Sequence, residues 1–189
     1  GDRVSVKPHA SPVYHAIQYL LGNMDEKYLE SLRGFHGLQS YPSRTKDPDF
    51  VDFSTGSVGL GAVAPNFAWL AEEYIRDHLN PNSGTDRKFI SLVGDAELDE
   101  GVVWEAIADP SLVDLKNVLW VVDLNRQSLD RIIPGIRVKV WREMFEANGW
   151  NVVDAKYGRK LESAFLQPNG ELLRNCVDEM SNDIYQRLL

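Results

Sequence analysis

Four carboxylates stand within six residues of the stretch SLVGDAELDEG, Ser91 to Gly101: Asp95, Glu97, Asp99 and Glu100. They follow directly behind an apolar run. Crowded carboxylates repel one another and raise each other's pKa unless a cation or solvent relieves them, so the question is which of the four meets a cation. Thirty residues beyond Asp95 comes Asn125, just after a second apolar run, NVLWVVD, with Gln127 two positions further on. A carboxylate, an amide carbonyl and a backbone carbonyl are hard oxygen ligands of the kind Mg²⁺ or Ca²⁺ takes, and Mg²⁺ commonly completes its octahedron with ligand phosphates and water. If the two apolar runs are neighbouring strands, Asp95 and Asn125 meet at one sheet edge. The same residue types also suit simpler duties, with Asp95 capping the following helix and Asn125 in a turn. Glu97, Asp99 and Glu100 are favoured by a helix dipole at an N-terminus without any catalytic purpose.

A second constellation is STGSVGLG, Ser54 to Gly61, which runs straight into a helical pattern. Glycines let backbone N–H groups approach an anion, and a helix N-terminus favours negative charge there. It is not a phosphate loop of the GK[ST] type, and no strand pattern precedes it as a dinucleotide fingerprint requires. Close helix packing explains the glycines equally well. His9, His15, His36 and His78 show no metal-ligand spacing. His9 sits on a turn into a helix, where an imidazole can act in catalysis, whereas His15 and His78 fall in helical patterns and read as surface or core residues.

The elements that must position these groups read as an α/β fold. Ser11 to Leu21 predicts a helix with Ser11 as its cap and Pro12 in the first turn. Asp25 to Leu32 predicts a short second helix, and the Gly, Pro, Ser and Asp of 35–53 predict a long surface loop. Ala62 to Leu79 carries Ala68, Leu70, Ala71, Tyr74, Ile75 and Leu79 on one helical face. Turn chemistry over 80–86 leads to a strand at Lys88 to Val93, a helix at Val102 to Ala108 and a strand at Asn117 to Asp123. Strand, helix and strand in that order form a right-handed βαβ unit. A helix over Val138 to Asn148, a strand over Trp150 to Ala155 and helical stretches at Leu161 to Phe165 and Glu171 to Leu188 complete a mainly parallel sheet flanked by helices. In such sheets ligands bind beyond the carboxyl ends of the strands, which is where Gly94, Asp95 and Asn125 fall.

Length and composition narrow the partners. The chain has 189 residues and 43% hydrophobic residues, enough for a substantial core. A formal net charge of −8 argues against nucleic acid as a partner, because phosphate backbones are bound through clustered Lys and Arg. An anionic ligand therefore needs a local device such as a metal ion or a helix N-terminus. The single cysteine, Cys176, excludes an intrachain disulfide and a cysteine metal cluster and agrees with a reducing, cytoplasmic setting. No apolar run reaches the length of a membrane span. Gly1 at one end and QRLL at the other lead us to expect a piece of a longer polypeptide.

Taken in order, KPHASPVYHAIQYLLG, SYP, FSTGSVGLG, GDAELDE, NRQSLD and FEANGWNVVDAKYG resemble the thiamine diphosphate enzymes of the transketolase class. The resemblance is strongest to the homodimeric pyruvate dehydrogenase E1 component and its transketolase-like relatives, and it covers most of the chain. It implies a thiamine diphosphate-binding fold, with residues 1–189 as a single diphosphate-binding domain. It implies that Asp95 and Asn125 ligate Mg²⁺ through their side chains and Gln127 through its main-chain carbonyl. Gly94, Asp95 and Ala96 then stand at the GDG that opens the family's cofactor signature, with Ala96 in place of its second glycine. His9 corresponds to the active-site histidine of a GH motif, with Pro8 replacing the glycine, and Tyr41 to an active-site tyrosine. Val58 takes the place of a bulky residue near the aminopyrimidine, with Gly56 and Gly59 beside it. Glu100 matches a glutamate of an acidic tunnel between two cofactors across a dimer.

The implied activity is decarboxylation of a 2-oxo acid with acyl transfer, the cofactor ring storing the electrons released by carbon–carbon cleavage. Ketol transfer between sugars is the second choice. The implied partners are a pyrimidine-binding domain from another segment or chain, without which catalysis is incomplete, a second copy in a homo-oligomer and a lipoyl carrier protein. Two rival readings stand beside this one: a degenerate, non-catalytic cofactor module and a nucleotide-binding α/β protein using the glycine-rich stretch.

Overall fold

The computed structural model describes the chain except residues 57, 82–85, 126, 129–130, 133–134, 182, 185–186 and 188–189, and the side chains of 127–128, 131–132 and 135–136 also lie outside the description. It divides into two compact units, Gly1–Leu129 and Asp130–Leu189.

The first unit is built on three parallel strands, β1 (Arg3–Val6), β2 (Phe89–Gly94) and β3 (Val118–Asp123), in the order β1-β2-β3. The α/β class with a parallel sheet is as the sequence predicts. Strand β1 is an addition: only four residues long, it owes its extended form to pairing with β2, Ser5 opposite Ser91. Helix α1 (Ser11–Leu20) follows β1, and α2 (Leu60–His78) enters after a long irregular stretch. Helix α3 (Gly101–Ile107) connects β2 to β3, and the two-residue strand β4 (Gln127–Ser128) ends the unit. Residues Glu26–Ser31 wind as a 3₁₀ turn rather than the predicted α-helix.

Helix α2 lies across the sheet, touching all three strands. Phe89, Ser91 and Val93 are buried on alternate positions of β2, and Val93 is fully enclosed. Trp120 of β3 donates its indole N–H to Asn66 of α2 at 2.9 Å, so the odd positions of β2 and the Trp120 side of β3 share the helix-facing surface. Fully burying a side chain such as Phe89 or Val93 contributes about 1.5–3 kcal/mol. The opposite surface of β3 is bare, with Leu119 and Val121 about half exposed.

The entry of α2 shows how the sequence resolves a local conflict. Pro65 lies inside the helix and has no N–H to give to the carbonyl of Gly61. The hydroxyl of Ser5 supplies that bond at 2.5 Å, and its strand partner Ser91 donates to the next carbonyl, Ala62, at 2.8 Å. Both serines are buried. The first turn of α2 is thereby fixed to the sheet by two hydroxyls in register.

The second unit holds β5 (Arg131–Ile132), α4 (Gly135–Ala147), α5 (Arg159–Phe165) and α6 (Gly170–Asp178). Helix α4 gives way to Gly149 at φ +81°, and Trp150 folds back edge-on to Phe145 at 5.7 Å. The strand predicted over Trp150 to Ala155 is not formed: that stretch is irregular and mostly exposed, Val153 at 81%. Among the described residues no strand lies beside its β-branched residues to complete a ladder. Helix α6 ends at Asp178, where the helical stretch predicted over Glu171 to Leu188 is interrupted before the described residues Asp183, Ile184 and Arg187 return to helix, and Asp178 accepts hydrogen bonds from Lys156 and Tyr157. Those two bonds hold its carboxyl below the usual range.

Candidate functional site

The parallel register sets the site. Gly94 pairs with Asp123 and Val6 with Leu92, so the chain leaves all three strands at one edge. Lys7, Asp95 and Leu124 are the first residues beyond it. Asp95 opens a 3₁₀ turn, Asp95–Asp99, is 2% exposed, and accepts the N–H of Ala96 at 3.0 Å through Oδ1. Ala96 sits in the right-handed backbone of this turn, apart from the described non-glycine residues of positive φ, Arg33, His36 and Asn169, so its methyl group is carried without strain. Asn125 is half-buried two residues past the end of β3, and β4 packs beside the Asp95–Asp99 turn, which brings the main chain of Gln127 to the same edge. The side chain of Gln127 lies outside the described residues.

Glu97 ties this edge to the glycine-rich turn. Its Oε2 accepts the N–H of Gly94 at 2.9 Å and its Oε1 the N–H of Gly59 at 3.2 Å, and the residue is only 5% exposed. Gly59 has φ +86°, and a Cβ there would lie 3.0 Å from Glu100 Cβ and Val102 Cγ1, which demands glycine twice over. The amide expected to be free for a phosphate, at the threshold of α2, is therefore already satisfied by an internal carboxylate. Val58 is 43% exposed, and Ser57 lies outside the described residues. A Cβ on Gly56 would touch the Tyr41 ring at 3.4 Å, so Tyr41 lies against the glycine stretch.

Helix α1 holds the loop that carries Tyr41. Ser11 does not cap α1, as its sequence position predicts; its hydroxyl donates to Ser40 at 2.8 Å, because Ala10 occupies the cap position and Ser11 is already helical. Tyr14 donates to the carbonyl of Phe50 at 2.7 Å, and buried His15 Nδ1 lies 3.0 Å from Asp49 Oδ2. Burial, followed by the charge of Asp49, pushes the Tyr14 hydroxyl up to about 12. His15 is thus a core residue that fastens the loop, while His78 is exposed on α2.

Between β1 and α1 the chain makes a 3₁₀ turn, Pro8–Ala10, with Pro8 at its first position and His9 exposed at its centre. Proline is tolerated there because its missing N–H is one the turn does not use. Lys7, just before it, reaches across the sheet edge and its ammonium pairs with Asp123 at the end of β3. Its stem passes Gly94, where a Cβ would meet Lys7 Cδ at 3.7 Å and Glu97 Oε2 at 3.8 Å.

The edge thus gathers Lys7, His9, Gly94, Asp95, Ala96 and Asn125, with Glu97 linking it to Gly59, against which Glu100 packs, in the glycine stretch whose Gly56 lies beside Tyr41. Among the described residues no three His, Cys, Asp or Glu side chains converge to hold a metal. The expected donors are instead one carboxylate, one amide and one main-chain carbonyl, and a buried carboxylate at a strand end suits a hard divalent cation. Sequence reasoning missed two residues here. Glu97 reads only as an acid at a helix terminus, although its position three residues after Gly94 is a back-bonding signal. Lys7 carries no signal beyond its place before Pro8 and His9.

Residues 2–165 match the family described as transketolase, thiamine diphosphate binding domain. The chain belongs to this family. Its transketolase-family relatives include the pyruvate dehydrogenase E1 component of Pseudomonas aeruginosa, 32% identical over 98% of this chain and 22% of that protein. The corresponding proteins of Cupriavidus necator and Escherichia coli K12 are 30% and 28% identical, over 100% and 98% of this chain and 22% and 21% of theirs. This transketolase-family domain therefore spans about a fifth of the length of these relatives. A crystal structure of transketolase from Campylobacter jejuni shares the fold, with a TM-score of 0.65 and 24% identity over 80% of this chain and 24% of that one.

Proposed function

We propose that this domain supplies the diphosphate and Mg²⁺ half of a pyruvate dehydrogenase E1-like active site, acting in decarboxylation of a 2-oxo acid and transfer of the acyl group. The observation that carries the reading is the parallel β2–β3 register, which sends Gly94–Asp95 and Asp123–Asn125 out of the sheet side by side. Asp95 and Asn125 hold Mg²⁺ through their side chains and Gln127 through its carbonyl. Gly94 and Ala96 line the diphosphate path. When bound, thiamine diphosphate supplies the electron sink for carbon–carbon cleavage.

Placement supports the remaining roles. His9, exposed three residues past the end of β1, is the proton-handling group. Tyr41, Val58, Gly56 and Gly59 form the wall on the glycine side, with Glu100 against Gly59. A pyrimidine-binding domain from another segment or chain completes the site, in a homo-oligomer, and a lipoyl carrier protein takes the acyl group. The share of the relatives' length that this chain spans supports the need for further domains. Ketol transfer is the second reading, and substrate assays of the complete enzyme with pyruvate against ketose phosphates separate the two.

The test of the cofactor reading is calorimetric titration of thiamine diphosphate into the protein with and without Mg²⁺, repeated with Asp95→Ala. Metal-dependent binding that weakens at least about tenfold in the variant is expected. Binding indifferent to both Mg²⁺ and Asp95 would overturn the reading.

A further inference from the structure

We propose that Lys7 is a diphosphate-recognition residue of this site, poised on Asp123 until the anion arrives; the inference rests on the cofactor reading above. A diphosphate brings several negative charges to an edge that already carries Asp95 just past β2 and Asp123 at the end of β3. The device commonly available for this is the N-terminus of a long helix, and here part of it is already engaged. The N–H of Gly59 at the start of α2 is bound to Glu97, and so is the N–H of Gly94. With those two amides engaged, a metal and a cation of the chain are the further sources of compensation.

Lys7 is placed to be that cation. Its stem runs past Gly94, the residue immediately before Asp95, and its ammonium stops at Asp123, two residues before Asn125. It therefore stands between the segments that carry both side-chain metal ligands. Its backbone is fixed as well: the residue before a proline is confined to extended geometry, Lys7 has φ −51° and ψ 138°, and its carbonyl accepts the N–H of Ala10 at 3.0 Å. Pro8, which stands where the family pattern has glycine, acquires a purpose in this arrangement, since it aims Lys7 across the edge. The ammonium is a compact point charge with three donors, well suited to phosphate oxygens. Asp123 is 59% exposed at its side chain, so the ion pair that holds Lys7 is weak and readily exchanged for a more highly charged partner.

The experiment compares Lys7→Met, Lys7→Arg and Asp123→Asn with the unaltered protein in titrations of thiamine diphosphate, inorganic diphosphate and thiamine at fixed Mg²⁺, with thermal unfolding as the check on folding. Lys7→Met is expected to weaken both diphosphates at least about tenfold and to leave thiamine unchanged. Lys7→Arg should retain most of the affinity, and Asp123→Asn should bind diphosphate as well as or better than the unaltered protein because the competing carboxylate is gone. Unchanged diphosphate affinity in Lys7→Met would overturn the inference and leave the cofactor reading standing. So would a loss in Asp123→Asn equal to that in Lys7→Met, which would show that only the ion pair matters. Failure of the unaltered protein to bind either diphosphate with Mg²⁺ would remove the cofactor reading and the inference together.

Discussion

Glu97 carries more of the site than its place in an acidic run implies. Each of its carboxylate oxygens accepts one backbone N–H, from segments 38 residues apart at Gly59 and adjacent at Gly94. A glutamine has one acceptor oxygen and turns an NH₂ toward the other amide, so Glu97→Gln keeps the shape and breaks one of the two links. We expect a loss of roughly 1–3 kcal/mol in urea unfolding; an unchanged midpoint would show that the bridge contributes nothing. What was legible at this scale is the chemistry of single positions. Asp95 and Asn125 stand out because their types and spacing are those of hard-cation ligands behind strands. The partners of Glu97 and Lys7 were hidden because a hydrogen bond to Gly59 or an ion pair to Asp123, 116 residues from Lys7, leaves no periodic trace. Ala96 and Pro8, at positions where the resemblance implies glycine, are compatible with the turns they occupy, since both turns are right-handed and neither calls for positive φ.

At the level of elements, the sequence was most readable where one period ran long enough. The 3.6-residue spacing of α2 and the apolar runs of β2 and β3 predicted elements within two residues of those observed. Short elements depend on neighbours instead. Arg3–Val6 becomes a strand because β2 pairs with it, and Trp150 to Ala155, equally rich in strand-forming residues, does not because no strand among the described residues pairs with it. The entry of α2 permits a graded prediction. Ser5→Ala removes the donor standing in for the N–H that Pro65 lacks, leaving the Gly61 carbonyl unsatisfied, and should cost roughly 1–3 kcal/mol. Ser91→Ala should cost less, because the carbonyl of Ala62 keeps the helical N–H of Asn66 within reach. Chemical denaturation of the two variants decides; equal losses would mean that Pro65 does not set the demand.

At the scale of the molecule, the first unit presents a parallel sheet with α2 across one surface and the β3 end of the other exposed. Parallel sheets are normally covered on both, and here Leu119 and Val121 are about half exposed on β3, an edge strand. Val121→Lys should reduce self-association of the isolated chain in sedimentation velocity, as charges on edge strands do. Association unaffected by the change would show that this surface is not the one responsible. The sequence revealed the apolar run of β3, but a run apolar on both faces reads the same whether or not the second face finds a cover within the chain.

The two buried serines beneath α2 also constrain how fast the site can come into being. The Ser5 bond spans 56 residues and the Ser91 bond 29, and the two residues face each other only once β1 lies beside β2. Contacts that close loops of this size form late relative to local helix turns. The first turn of α2, and with it the glycine threshold that Glu97 anchors, therefore waits on strand pairing, so that during refolding helical signal should recover before any capacity to bind a diphosphate.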